Sequence, residues 1–175
     1  LNTYLAYMMG GLVRRIGCKI RPYEKVRGTT DRVIKEGMDV LVEAFSGNQS
    51  KEKAVAEVVS RFEAIETIHD GSVFHSDRQR PKVAIFGDLY VRDNEVINQN
   101  LIHFIEEQGG EVITTPYSSF VQMIAKPYLR KWFIEGHYLN VLSSKAMYAT
   151  ATRLERIYSS YFNRILKEKT KAYDK

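Results

Sequence analysis

The stretch KVAIFGDLYVRDNEVINQNLIHFIEEQGGEVITTP, residues 82–116, leaves the chain little choice of fold. VAIFG is a short apolar run ending in glycine, the pattern of a strand buried on both faces in a parallel sheet. Over residues 94–108, Val96, Ile97, Leu101, Phe104 and Ile105 recur at a helical spacing. Gly109-Gly110 then supplies the left-handed residue that commonly stops a helix. EVITTP reads as a second strand, ended by Pro116. Strand, helix and strand in so short a span make a βαβ unit, whose crossover is expected to be right-handed.

Helices are expected on both sides of this unit. Leu1, Leu5, Met8, Leu12 and Ile16 fall on one helix face over residues 1–17. Gly10-Gly11 weakens that helix in isolation, so it depends on packing. Pro22 biases Arg21 towards an extended backbone. Thr29 or Thr30 is expected to cap the next helix, with Asp31 at the positive end of its dipole. Ile34, Met38, Leu41 and Phe45 mark its inward stripe, and SGNQS at 46–50 breaks it. Ala54, Val55, Val58, Val59, Phe62 and Ile65 mark the helix that follows, so residues 29–68 read as a helical hairpin. HDGSVFHSDRQRPK is a linker by composition. Residues 118–135 read as helical with a kink or break near Pro127. A long helix over 139–169 is expected to face inward through Leu142, Ala146, Leu154, Ile157, Tyr161 and Ile165, with a basic tail at its C-terminus.

The fold class is therefore α/β: a Rossmann- or flavodoxin-like βαβ unit with a short parallel sheet, flanked by an N-terminal helical region and a long C-terminal helix. Its regions are 1–75 (helical), 76–138 (α/β core) and 139–175 (long helix). With 44% hydrophobic residues, the 175-residue chain can bury one domain-sized core. It begins with Leu rather than Met, and we expect a compact domain excised from a longer polypeptide.

In an open α/β sheet, ligands sit beyond the carboxyl ends of the strands. GDLYVRDN occupies that place. Gly87 permits close backbone approach, and a following helix N-terminus favours an anion. Asp88, Tyr90, Arg92 and Asn94 are the candidate ligand-binding residues, although Asp93 or Asn94 also suits a helix cap. No glycine-rich phosphate fingerprint is present. TTPYSS at 114–119 either lines the same crevice or caps the next helix. Of the four histidines, none shows metal-ligand spacing, and His103 lies inside a helix. Cys18 has Arg14, Arg15 and Lys19 nearby to lower its pKa, or is simply a small buried hydrophobe.

A formal charge of +5 with interspersed signs makes no nucleic-acid stripe. The concentrated positives are Arg14-Arg15, residues 78–82 and residues 167–175. One cysteine excludes an internal disulfide and fits a reducing compartment. With no apolar run long enough to span a bilayer, the expected location is cytoplasmic.

Two segments together resemble a known family. CKIRPYEKVRGTTDRVIKEGMDVL is similar to the C-x-I-R-P-Y-E…G-x-T-D segment of large proteins related to 2-hydroxyacyl-CoA dehydratases and their activases. KVAIFGDLYVRDN…EEQGGEVITTP resembles the same proteins' strand–helix–strand with its G-[DE]-x-Y-V-R loop. The resemblance covers roughly residues 10–120. It implies part of an oxygen-sensitive iron–sulfur system, in which an ATP-driven activase passes an electron to a dehydratase acting on a 2-hydroxyacyl-CoA thioester. It also implies a cluster held by cysteines between stacked α/β domains, with Cys18 a candidate single ligand of a shared cluster. The activase phosphate loops and further cysteines are missing here, and Asp88 stands where the family usually has Glu. The chain alone is therefore expected to bind no cofactor and to be inactive, the whole protein being part of a dehydratase or its activase system. Other domains of the same polypeptide, a dehydratase or activase partner, and an acyl-CoA ligand are the expected partners, with no membrane and no nucleic acid. The alternative is a non-catalytic flavodoxin-like binding or scaffold module.

Overall fold

The computed structural model describes residues 2–68, 80–114 and 117–166. Leu1, the Asp70-Gly71 turn with His69, His75 and Arg78, Thr115-Pro116 and the basic stretch 167–175 lie outside them. The described chain is mostly helical, with one short parallel sheet of two strands. α1 (Asn2–Ile20) buries Leu5, Met8, Met9, Leu12, Val13 and Ile16 at the spacing its sequence dictates. α2 (Thr29–Phe45) and α3 (Lys51–Glu63) form the expected hairpin against it. Close approach is built in by two glycines. A Cβ at Gly17 would stand 2.6 Å from Ile34 Cδ1, and one at Gly37 3.3 Å from Val58.

The fourth member of this core comes from the far end of the chain. α7 (Tyr138–Leu166) lays Tyr158, Phe162, Ile165 and Leu166 into the cluster made by α1, α2 and α3. Polar contacts pin it there. Tyr158 Oη donates to Glu52 Oε1 at 2.8 Å, and Lys19 Nζ donates to the Leu166 carbonyl at 2.6 Å.

Several local expectations are corrected. Arg21 is not extended, because α1 runs directly into a 3-10 turn over Arg21–Tyr23. Pro22 fits the first turn of such a helix, where its missing N–H is not needed. α2 is capped by neither threonine: Gly28 occupies the cap position in the left-handed region (φ 86°), without a side-chain cap. Its core face is Thr30, Val33, Gly37, Leu41 and Ala44, while Met38 is exposed. On α7, Leu142, Ala146, Ile157 and Tyr161 point outward. The true stripe is rotated to Tyr158 and Phe162, both buried aromatics.

The βαβ unit is present in a broken form. β1 (Lys82–Ile85) pairs in parallel with β2 (Glu111–Thr114), Lys82 opposite Glu111 and Ile85 opposite Thr114. β1 is not buried on both faces, since only Ile85 is enclosed. Among the described residues, a two-stranded sheet has no third strand or second helical layer to cover the rest. The expected helix over 94–108 forms only from Leu101, as α5 (Leu101–Glu107); residues 94–100 are turns, preceded by a short helix, α4 (Leu89–Asp93). Asparagines cause the break. Asn94 Oδ1 accepts from the N–H groups of Val96 and Ile97, and Asn98 Oδ1 from that of Leu101, bonds that compete with a helical ladder. Gln99 and Asn100 follow at φ 54° and 55°. Val96 is consequently 87% exposed rather than inward. Gly109 does end α5 in the left-handed region, at φ 90°. α6 (Tyr117–Ile134) continues through Pro127 without a break.

The rotated face of α7 is directly testable. Phe162→Ala should cost about 3–5 kcal/mol through loss of burial and an unfilled cavity. Leu142→Ala should stay within about 0.5 kcal/mol. Urea denaturation of the two variants measures both, and equal losses would contradict the assignment.

Candidate functional site

The loop after β1 satisfies itself to a large degree. Asp88 Oδ1 accepts from Tyr90 N–H at 2.9 Å and Val91 N–H at 3.3 Å, so its carboxylate occupies the positive end of α4. That is the position an anionic ligand would take. Asn94 Oδ1 is committed to Val96 and Ile97 as described. Arg92 is 6% exposed and lies against both carboxylate oxygens of Asp93, at 2.8 and 3.1 Å. Asp93 also takes Arg14 Nη1 from α1 at 2.6 Å. Of the four candidates, Asp88 and Tyr90 are exposed, Tyr90 beside an exposed Phe86 and Val91.

The densest polar construction joins the two segments that carry the family resemblance. Arg21 Nη1 donates to both oxygens of Glu106, at 2.9 and 3.0 Å, and Arg21 Nε donates to Asp31 Oδ1 at 2.8 Å. The Tyr23 hydroxyl donates to Glu111 Oε2 at 2.9 Å. Glu24 turns the other way: its two oxygens accept from Gly28 N–H at 2.6 Å and Thr30 N–H at 2.7 Å. The cap of α2 thus comes from six residues upstream of Thr30, not from either threonine. Burial lifts the Glu106 carboxyl above the usual carboxylate range, and the Arg21 guanidinium opposes that rise. Thr30 Oγ1 is the one buried side-chain atom, among the described residues, without a hydrogen-bond partner.

Beside this network lies an open cleft of about 690 Å³. Tyr7, Gly10 and Arg14 of α1 form one wall, Ile34 and Met38 of α2 a second, and Glu95 with His103 a third. Of the expected α2 stripe, Met38 is exposed to this cleft, while Ile34 lines it and also packs against the core with Leu41 and Phe45. Cys18 lies at its base and packs with Ile85, Ile102 and Val112. Burial, with Glu106 adding to it, pushes the Cys18 thiol up to about 11, outweighing Arg21 and Arg14. Of the two readings of Cys18, the small buried hydrophobe is the one the fold realises, and the neighbouring cations do not lower its pKa on balance. Among the described residues, no three His, Cys, Asp or Glu side chains converge on a metal-sized site. His103 Nδ1 is 3.9 Å from Glu106 Oε2, and His137 is exposed. Thr114 of the second loop is buried.

Comparison with protein-family models, with curated proteins and with solved structures finds no match for the chain. The site's assignments accordingly rest on its own geometry. The residues alone do not single out Glu106, Glu111 or the Arg14–Asp93 pair, because Arg21–Glu106 and Tyr23–Glu111 are 85 and 88 positions apart and Arg14 is nearly as remote from Asp93 in sequence. Two acids flanking the Gly109-Gly110 stop, opposite an Arg-Pro-Tyr turn, were the available signal.

The raised thiol has a definite consequence. The folded pKa lies above the unfolded value, so native preference for the neutral thiol is complete below the ordinary thiol range. It is lost as pH rises through about 11. At pH 8, alkylation of native Cys18 by iodoacetamide should run about 100-fold slower than in the urea-unfolded chain. Equal rates, followed by mass spectrometry, would overturn the placement.

Proposed function

We propose that the chain is one domain of a 2-hydroxyacyl-CoA dehydratase-like or activase-related iron–sulfur protein, contributing substrate binding or interdomain docking rather than complete catalysis. The observation that carries this reading is where the polar groups of the family-like motifs are spent. Arg21 and Tyr23 bond across the fold to Glu106 and Glu111, while Glu24, Asp88 and Asn94 bond nearby backbone N–H groups. Residues so committed build a scaffold.

In this reading the βαβ segment is a reduced Rossmann- or flavodoxin-like unit. Its β1 loop faces the rest of the protein or an acyl-CoA ligand, with Tyr90 making the contact and Arg92 holding the loop through Asp93. The cluster belongs to cysteines elsewhere in the polypeptide, and the setting is cytoplasmic. No described helix is long and apolar enough to cross a membrane.

The test is anaerobic expression of the longer polypeptide carrying this domain, with iron and sulfide analysis and visible absorbance. A cluster is expected in that protein and none in the 175-residue chain, which should not dehydrate a 2-hydroxyacyl-CoA. An intact protein free of iron would sink the proposal.

A further inference from the structure

We propose that the outward stripes of α6 and α7 form a docking surface for a protein face that is apolar at its centre and acidic at its rim. On α6, Met123, Lys126, Arg130, Phe133 and Ile134 recur at steps of three and four and are all exposed. On α7, Tyr138, Leu142, Lys145, Ala149, Arg153 and Arg156 do the same. The first half of α7 buries only Val141 among its described residues, so these side chains have no role in the core. Leu139, at 82% exposure, extends the apolar surface.

Charge decides the occupant. Between residues 123 and 157 the sequence carries six Lys and Arg (126, 130, 131, 145, 153, 156) against two acids, Glu135 and Glu155. Both acids are already engaged, Glu135 with Lys131 and Glu155 with the Tyr4 hydroxyl. Among the described residues, Lys126, Arg130, Lys145, Arg153 and Arg156 have no carboxylate within ion-pair distance. A second copy would bring the same excess of positive charge against this one. A lipid surface suits helices that put apolar and basic side chains on opposite faces, whereas here both share single stripes, with Phe133, Ile134, Tyr138, Leu139 and Leu142 at the α6–α7 corner and the basic residues further along each helix. An aromatic and aliphatic centre bordered by Lys and Arg is the composition of a protein interface, with acids on the partner's rim completing it.

This deepens the docking reading above, and its test is separate from iron content. The probe is a synthetic amphipathic helix with a Leu face rimmed by Glu, compared with its Lys-rimmed counterpart. Vesicles of phosphatidylcholine and phosphatidylglycerol in equal parts provide the membrane arm. The chain should bind the Glu-rimmed peptide, at least about tenfold more weakly after Arg130→Glu with Lys145→Glu. Circular dichroism should be unchanged, because both positions are exposed. Leu142→Ala should weaken binding as well without altering the fold. Equal binding of the Lys-rimmed peptide, binding to vesicles alone, no binding to any probe, or self-association through these stripes in sedimentation would each overturn the proposal. A chain that binds the acidic peptide while the longer protein proves iron-free would retain this surface and lose the family reading.

Discussion

Arg21 is held from two directions by carboxylates that lie 10 and 85 positions away, Asp31 at the start of α2 and Glu106 at the end of α5. Its side chain is largely removed from water, as is that of Glu106. A charge in that setting is tolerable only with its partner in place, because desolvation of either ion alone costs several kcal/mol. The pair therefore fixes the position of the α5–β2 corner against the α1–α2 corner. Tyr23 to Glu111 repeats the link one turn further on, and Arg80 stacks over the Tyr23 ring at 5.6 Å. The small sheet has a minor apolar cluster of its own, four buried residues including Cys18 of α1. It leans on the helical core through polar contacts as much as through packing.

How much of this could be read from the residues depends on the range of the interaction involved. Periodicity located α1, α3, the parallel strand pair and the Gly109 stop, because each is decided by side chains within a few positions. On α2 it placed Ile34, Leu41 and Phe45 against the core and missed only Met38, which turns to a cleft. On α7 it placed Leu154 and Ile165 but not Leu142, Ala146, Ile157 and Tyr161. On α7 two overlapping stripes compete, and contact with α1 and α3 selects the one through Tyr158 and Phe162. The helix expected from Asn94 failed for a local reason, since Asn94 and Asn98 divert backbone N–H groups into turns. Composition alone could not weigh that against the apolar spacing.

The candidate site shows the same division. Asp88 and Asn94 are where a ligand would be sought in an α/β protein, and their acceptor atoms are turned onto the backbone. Cys18, flanked by cations in sequence, is governed instead by burial beside Ile85, Ile102 and Val112. Sequence neighbours bear on a pKa only through the positions the fold gives them. In the loop after β1, Phe86, Asp88 and Tyr90 stay exposed, as do the mixed stripes of α6 and α7.

Everything in this description turns on Arg21 and Glu106 acting as one coupled unit between the helical core and the strand–helix–strand segment. A double-mutant cycle with Arg21→Met, Glu106→Gln and their combination, read by urea denaturation, measures that coupling. The fold predicts a non-additive term of about 2 kcal/mol or more, with each single variant hurt more than the pair. Additivity to within about 0.5 kcal/mol would contradict it.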